Sequence, residues 1–457
     1  MINKIIENAR INPDKIAYVD NGLTLTYKEL VAEAFKLSKK LKTYKTNNII
    51  IYGHKELFVP ITILACLMSN KTYIPIDYYI PINRINKIVN SLKDFLIVSN
   101  SKLPELETYS IDSLIEKEEV IDSNNDISYI IFTSGSTGEP KGVPISFNNL
   151  SNFTKWISNT NPFNEYKDAI VFNQASFSFD LSVAGFYYAL YNNHTIVEYD
   201  NSLDSPDYIY ELLKNNKVNV MVVTPTFMRY VVLNKEFNEN NYKDLKCLYF
   251  CGEKLHKDLV NKIYKRFKDI KIVNAYGPTE ATSAVSAYLI KQNELDKYID
   301  IPVGDMKNLA TKVEIINDEI VLSGESVFKG YLNSEIKITK YHTGDIGEIK
   351  DDLLFCKGRI DNQIKYKGYR IELEEIESVL NKLEYVNESL VVPIQNDEEV
   401  LYLCAYVVLN INVTVDKIKE ELKDVLPEYM VPSEIVIKDK LKVSNNGKLI
   451  REVMEDD

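Results

Sequence analysis

The 457-residue sequence lacks a hydrophobic run that could cross a membrane: its apolar stretches, such as residues 218–223, are no longer than a strand, whereas a spanning helix takes ~20 apolar residues. The first twenty residues carry charges throughout and lack the roughly 7–15-residue apolar core of a secretory signal, so a cytoplasmic product is expected. Cysteine is sparse. The five present include no CxxC pair, which argues against a disulfide framework or a cysteine zinc site and suits a reducing compartment. Basic charge is not in excess either. The formal net charge of -12 has the wrong sign for a general nucleic-acid binder, whose phosphate contacts need clustered cations. No period of roughly 20–50 residues recurs and no segment is of low complexity. What is present, 45% hydrophobic and 26% charged residues, is the composition of a globular protein, at a length beyond the roughly 100–200 residues of one domain.

Short apolar runs of β type, at 49–52, 72–74, 95–98, 129–133, 169–172, 218–223, 248–251 and 271–274, alternate with stretches of helical spacing such as 205–216 and 257–268. This rhythm predicts an α/β fold of parallel-type sheets flanked by helices. After about residue 300 the β pieces shorten (312–316, 319–322, 346–349), predicting a β-rich subdomain. The last hundred residues predict a small α+β domain, with a helix over 372–382, strands over 388–393 and 401–409, and a helix over 415–426. The expected organisation is a core over 1–360 and a lid over 361–457. Its junction lies near Gly358 and Asp361, as a hinge or an ordinary turn.

The segment Thr133-Ser134-Gly135-Ser136-Thr137-Gly138-Glu139-Pro140-Lys141-Gly142 follows an apolar strand and concentrates three glycines, four hydroxyls and a lysine. Glycines let backbone N–H groups approach an anion, hydroxyls add donors and Lys141 adds a point charge, a combination suited to a polyphosphate. It is not the GxxxxGK[ST] pattern, because Gly142 follows the lysine. A second cluster, Asn274-Ala275-Tyr276-Gly277-Pro278-Thr279-Glu280, ends a strand of the parallel sheet, where ligands collect. It brings an aromatic ring, an amide, a hydroxyl and a carboxylate together within seven residues.

The TSGSTGEPKG loop resembles the signature of the adenylate-forming enzymes: acyl-CoA synthetases, luciferases and amino-acid adenylation domains. Further motifs follow in the family's order from about residue 25 to residue 451. The resemblance implies ATP and Mg²⁺ as cofactors. Residues Thr133, Ser134, Gly135, Ser136, Thr137, Gly138 and Lys141 would hold phosphates, while Asn274, Ala275, Tyr276, Gly277 and Thr279 would hold adenine and the α-phosphate, with Glu280 on the metal. Asp345, in Tyr341-His342-Thr343-Gly344-Asp345, is similar to the ribose-binding acid of YxTGD. Gly358-Arg359-Ile360-Asp361-Asn362-Gln363-Ile364-Lys365 resembles GRxDxQIK, which implies that Arg359 reaches the ribose and that Asp361 is the pivot. Gly447-Lys448 resembles the loop of the catalytic lysine, and a cation between the attacking carboxylate and the α-phosphate is the role so implied for Lys448.

Asp180, in Phe177-Ser178-Phe179-Asp180-Leu181-Ser182, is the one acid of an otherwise uncharged stretch. Burial there calls for a cationic partner such as an α-ammonium group; the alternative is a helix N-cap. The elements containing Leu181, Cys251, Gly252, Ala275, Ser283 and Val285 line the substrate pocket in relatives and here favour a small side chain. Cys251 borders the substrate or is simply a small buried hydrophobe. Together, FNQASFSFDLSV, FCGE, YIPID and KGYRIELEEIE resemble the D-alanine:carrier-protein ligases of Gram-positive bacteria. That implies D-alanine as substrate and a phosphopantetheinylated carrier as partner, for teichoic-acid alanylation, without nucleic acid or membrane insertion. Ser283 leaves open another small amino acid, namely serine, glycine, L-alanine or β-alanine.

Overall fold

The structure is a computed structural model and describes residues 1–101, 103, 125–135, 138–200, 207–396, 399–442 and 449–454. The chain forms two compact units. One comprises residues 1–77, 92–131 and 143–360, the other residues 78–91, 132–142 and 361–457.

The first unit contains two sheets of parallel character and one antiparallel sheet. The eight-stranded sheet runs, in spatial order, Ser286–Leu289, Lys271–Tyr276, Cys247–Phe250, Val220–Val223, Ile170–Asn173, Thr195–Glu198, Ile16–Asp20 and Leu23–Thr26. Its six inner strands are parallel and only its two edge strands pair antiparallel. Strands such as Val220–Val223 are buried at every residue, which is why they read as continuous apolar runs rather than alternating ones. In the second sheet Leu96–Val98, Asn48–Tyr52, Thr72–Ile76, Ile127–Thr133 and Lys141–Ser146 are neighbours in that order, residues 132–133 and 141–142 being counted with the second unit. The helix Leu181–Tyr191 is buried from Leu181 through Leu190 and has no charged residue and no polar stripe, as a helix enclosed by a large core must be. The β-rich region expected after residue 300 is a five-stranded antiparallel sheet of Gly304–Asp305, Leu353–Arg359, Tyr341–Lys350, Glu319–Ser323 and Lys312–Ile316.

The second unit has a hairpin, Gln363–Tyr366 with Tyr369–Glu372, followed by the helix Leu373–Leu380. Val386–Gln395 and Val400–Leu409 form a long antiparallel pair, and Glu434–Ile437 adds to it in parallel. The helix Val415–Lys423 begins at Thr414, whose hydroxyl accepts from the Lys417 N–H, a standard N-cap arrangement. Ile371, Ile376, Leu380, Val391, Leu403 and Ile418 are among the side chains of its separate core. Helix Ile82–Asn90 and residues 132–142 belong to this unit, although they precede it in the chain by more than two hundred residues. The α/β class, the β-rich region and the small α+β unit agree with the sequence expectation, with most elements displaced by one to four residues at their ends. Among the described residues no helix is long and apolar enough to cross a membrane.

Candidate functional site

In the first unit, the strand Lys271–Tyr276 brings Asn274, Ala275 and Tyr276 to its carboxyl end. Asn274 is buried and its side-chain amide donates to the Pro302 carbonyl at 2.9 Å. The Tyr276 hydroxyl donates to Asp345 Oδ2 at 2.6 Å, and Arg359 Nη1 pairs with Asp345 Oδ1 at 2.6 Å. Asp345 and Arg359 face each other as register partners on the antiparallel strands Tyr341–Lys350 and Leu353–Arg359. One carboxylate therefore ties an aromatic ring to a guanidinium, and both of its oxygens accept charge-assisted or phenolic hydrogen bonds. Burial first, and the Asp345 charge second, hold the Tyr276 hydroxyl well above its ordinary pKa.

The turn after Tyr276 is very tight. A Cβ on Gly277 would lie 2.5 Å from Ala284 Cα, 2.9 Å from Ser283 O and 2.9 Å from Val285 N. The Val285 N–H donates to the Tyr276 carbonyl at 2.8 Å, closing the loop on itself. Within it Thr282 and Ser283 both take positive φ, +63° and +71°, an uncommon conformation for side chains other than glycine. Glu280 is 1% exposed and accepts from the Tyr331 hydroxyl at 2.8 Å. Thr279, beside it, is also buried.

Cys251 follows the strand Cys247–Phe250 and its Sγ lies 3.9 Å from the Ser283 carbonyl. Gly252 has φ +96°. Leu181, Ala275 and Val285 are buried and apolar. Asp180 occupies the N-terminal position of helix Leu181–Tyr191 but makes no side-chain cap hydrogen bond, so the capping alternative has no support in the geometry. Among the described residues the buried hydroxyls of Tyr129, Tyr249 and Ser283 have no hydrogen-bond partner. Burial raises the pKa of both tyrosines; Tyr73 at Tyr129 and Cys251 at Tyr249 add to it, and the Asp180 charge reaches both. Tyr129 and Tyr249 are thus buried hydroxyls within reach of the Asp180 charge.

Thr133, Ser134, Gly135, Gly138 and Lys141 belong to the second unit, as does Asp361. Thr133 Oγ1 donates to the Lys141 carbonyl at 3.5 Å across the loop. Ser134 Oγ donates to the Arg370 carbonyl at 2.8 Å, and the Gly135 N–H donates to Glu375 Oε2 at 3.2 Å. A Cβ at Gly135 would lie 2.4 Å from the Glu139 carbonyl, and Gly138 has φ +78°, so both glycines are required by the backbone. Lys87, which no motif marks, donates to the Gly138 carbonyl at 2.9 Å. The Asp361 carboxylate accepts from the Gln363 N–H at 3.3 Å. Ser136, Thr137 and Lys448 lie outside the described residues.

Sequence reasoning missed the polar groups of residues 54–55 and 77, the role of Tyr331 beside Glu280 and that of Lys87. Their only sequence signal is charge or a hydroxyl next to an apolar run. Among the described residues no group of three or more His, Cys, Asp or Glu is placed to hold a metal ion.

The chain matches the family described as AMP-binding enzyme over residues 5–332 and the AMP-binding enzyme C-terminal domain over residues 375–448. It is 35% identical to the D-alanine--D-alanyl carrier protein ligase of Bacillus licheniformis, covering 100% of this chain and 99% of that protein. The protein of the same name from Staphylococcus aureus strain N315 is 36% identical, with 99% and 98% covered. Among solved structures, a double mutant of o-succinylbenzoate CoA synthetase (MenE) of Bacillus subtilis superposes with a TM-score of 0.85 at 19% identity, covering 98% of this chain and 97% of that one. The Vibrio cholerae adenylation domain AlmE, in complex with glycyl-adenosine-5'-phosphate, gives 0.83 at 21% identity, with 98% and 95% covered. These two likenesses concern the fold. With both family segments matched in order and relatives alike over their full length, the chain belongs to the AMP-binding enzymes.

Proposed function

We propose that the protein activates D-alanine with ATP as D-alanyl-adenylate and passes the acyl group to the phosphopantetheine thiol of a carrier protein. The observation that carries this reading is the likeness of the chain, over its full length, to proteins named for D-alanine and its carrier, with the carboxylate of Asp180 at the start of a buried helix. A half-buried carboxylate there can pair with a cation, and the ammonium group of an amino acid supplies one. The small apolar walls contributed by Leu181, Cys251, Ala275 and Val285 suit a methyl side chain, with Gly252 leaving room beside them.

In the first step an oxygen of the amino-acid carboxylate attacks the α-phosphorus of ATP. A new acyl–phosphate bond forms, the α–β bridge breaks and pyrophosphate leaves. Tyr276, Asn274, Ala275 and Gly277 frame the adenine, and Asp345, held from two sides by Tyr276 and Arg359, accepts from the ribose hydroxyls. Thr279 donates to the α-phosphate, and the loop of Thr133, Ser134, Gly135, Ser136, Thr137, Gly138 and Lys141 receives the outgoing phosphates. Lys448 supplies the cation between the two anions as they meet, where it lowers the transition state more than the ground state. Glu280, a single buried carboxylate next to the Thr279 hydroxyl, suits Mg²⁺, which takes few protein ligands alongside substrate phosphates and waters and would neutralise phosphate charge. In the second step the carrier thiol attacks the acyl carbon and AMP leaves, after the segment from Asp361 onward has turned about that residue. The domain division at residues 360–361 and a cytoplasmic location, where ATP is available, belong to the same reading, as does use of the product in teichoic-acid alanylation.

ATP–pyrophosphate exchange with D-alanine, L-alanine, glycine, L-serine and β-alanine tests the substrate. D-alanine is expected to have the highest kcat/KM; a higher value for any other would replace it. Transfer of the acyl group to a loaded carrier rather than to free coenzyme A tests the acceptor.

A further inference from the structure

Lys55 is a charged residue in the turn between the strand Asn48–Tyr52 and the uncharged helix Phe58–Met68. It is 1% exposed and forms an ion pair with Glu198, which is fully buried. Burying two charges costs several kcal/mol per ion unless their remaining hydrogen-bonding capacity is used. Here it is used. Glu198 accepts from the Asn173 side-chain amide at 3.1 Å, and the Tyr18 hydroxyl donates to the Lys55 carbonyl at 2.7 Å. The ammonium itself donates to the carbonyls of Ala175 and, at 3.5 Å, Asn173, and lies 5.1 Å from the centre of the Phe177 ring.

These acceptors and the Phe177 ring belong to residues 173–177, the start of the connection that runs from the strand Ile170–Asn173 to Asp180. Other groups hold the same connection from the same side. Ser176 Oγ donates to Asp77, whose carboxylate also contacts His54 Nδ1 at 2.6 Å, and Ser178 Oγ donates to the Pro75 carbonyl at 3.3 Å. The ends of Asn48–Tyr52 and Thr72–Ile76, in one sheet, thus fasten the loop that carries Asp180 from the other. Within this set Lys55 bonds to the main chain with a full charge, through Ala175, five residues before Asp180.

We propose that Lys55 is a positioning residue for amino-acid binding: neutralised by Glu198, its ammonium fixes the backbone at Ala175 so that the connection to Asp180 presents that carboxylate to the substrate ammonium. The proposal rests on the reading of Asp180 given above. A binding carboxylate has to be held to about 0.5 Å to be effective, and the charged contact of Lys55 to the main chain at Ala175 serves that requirement on the amino-acid side. ATP is bound by other elements, so loss of the anchor separates the two substrates.

The test is Lys55→Met, together with the double variant Lys55→Met/Glu198→Met, which removes both charges at nearly constant volume and leaves no orphaned carboxylate. Exchange kinetics are measured against D-alanine and against ATP, with thermal unfolding and an Asp180→Asn variant alongside. The D-alanine KM is expected to rise about tenfold or more in both Lys55 variants, while the ATP KM stays within about twofold, an effect of the size produced by small displacements of a binding group. A folded double variant with unchanged D-alanine KM, or with both KM values raised by the same factor, overturns the proposal. Failure of both variants to fold overturns it as well, since Lys55 would then serve the core rather than the loop. If Asp180→Asn leaves the D-alanine KM unchanged, it is the assignment of Asp180 that fails.

Discussion

Asp20 ends the strand Ile16–Asp20 one residue beyond the Val19–Val197 pair, beside Glu198 on the neighbouring parallel strand. One of its carboxylate oxygens, Oδ1, has no hydrogen-bond partner among the described residues. Burial, followed by the charges of Glu198, Asp200 and Glu56, pushes its pKa up to about 7, with His54 acting the other way. When the chain unfolds, Asp20 returns to the ordinary carboxylate value near 4. Between about pH 4 and pH 7 the folded state therefore holds a proton that the unfolded state has lost, so this group's contribution to stability falls as pH rises through that window and is constant above it. Asp20→Asn abolishes the effect. The melting-temperature difference between the variant and the parent should be more favourable to the variant at pH 8 than at pH 5, by about 2 °C after allowing for solvent screening. Equal differences at the two pH values would remove Asp20 from this account. The residues of the nucleotide motifs were legible in the sequence because their spacing is local. Lys55 was not, since its partner Glu198 lies 143 positions away and nothing in either neighbourhood announces a pair.

At the scale of elements, the parallel strands declared themselves because both faces are buried, so an apolar run such as 271–274 marks the strand Lys271–Tyr276 to within two residues. The helix Leu181–Tyr191 was hidden for the same reason: enclosed on all sides, it has no polar stripe and therefore no period. The turn after Tyr276 was legible only in part. Gly277-Pro278 signals a turn, but the demand on Gly277 is steric rather than conformational, because the backbone of residues 283–285 passes where a Cβ would stand. Gly277→Ala must push this backbone aside and with it the chain beside Cys251 and Glu280. Overpacking of this kind costs about 1–3 kcal/mol, and the cost here falls on backbone, which yields less than a side chain. A fall in melting temperature of about 4 °C or more is expected, accompanied by a raised KM for ATP because Tyr276 and Thr279 flank the strained residue. An unchanged melting temperature would mean that the loop has room the geometry does not provide.

At the scale of the whole molecule, the boundary read from the motifs follows the chain, whereas compactness follows contacts. Residues 78–91 and 132–142 join 361–457 in one unit through long-range bonds such as the buried pair Arg84–Glu375 and the Gly135 N–H to Glu375. No linear pattern encodes those contacts, since each partner alone is an ordinary surface-type residue. Asp361 stands at the start of the long C-terminal stretch of this unit, exposed and bonded to the Gln363 N–H. A pivot there must change its backbone angles between the two half-reactions, and proline, with φ fixed near -65°, cannot follow. If the proposed rotation serves only the second half-reaction, Asp361→Pro should keep ATP–pyrophosphate exchange within about threefold and slow acyl transfer to the loaded carrier by about tenfold or more. Single-turnover transfer from preformed adenylate separates the two steps. Equal loss in both would assign Asp361 to the stability of the hairpin it precedes, and loss in neither would move the pivot elsewhere in the segment between Gly358 and Gln363.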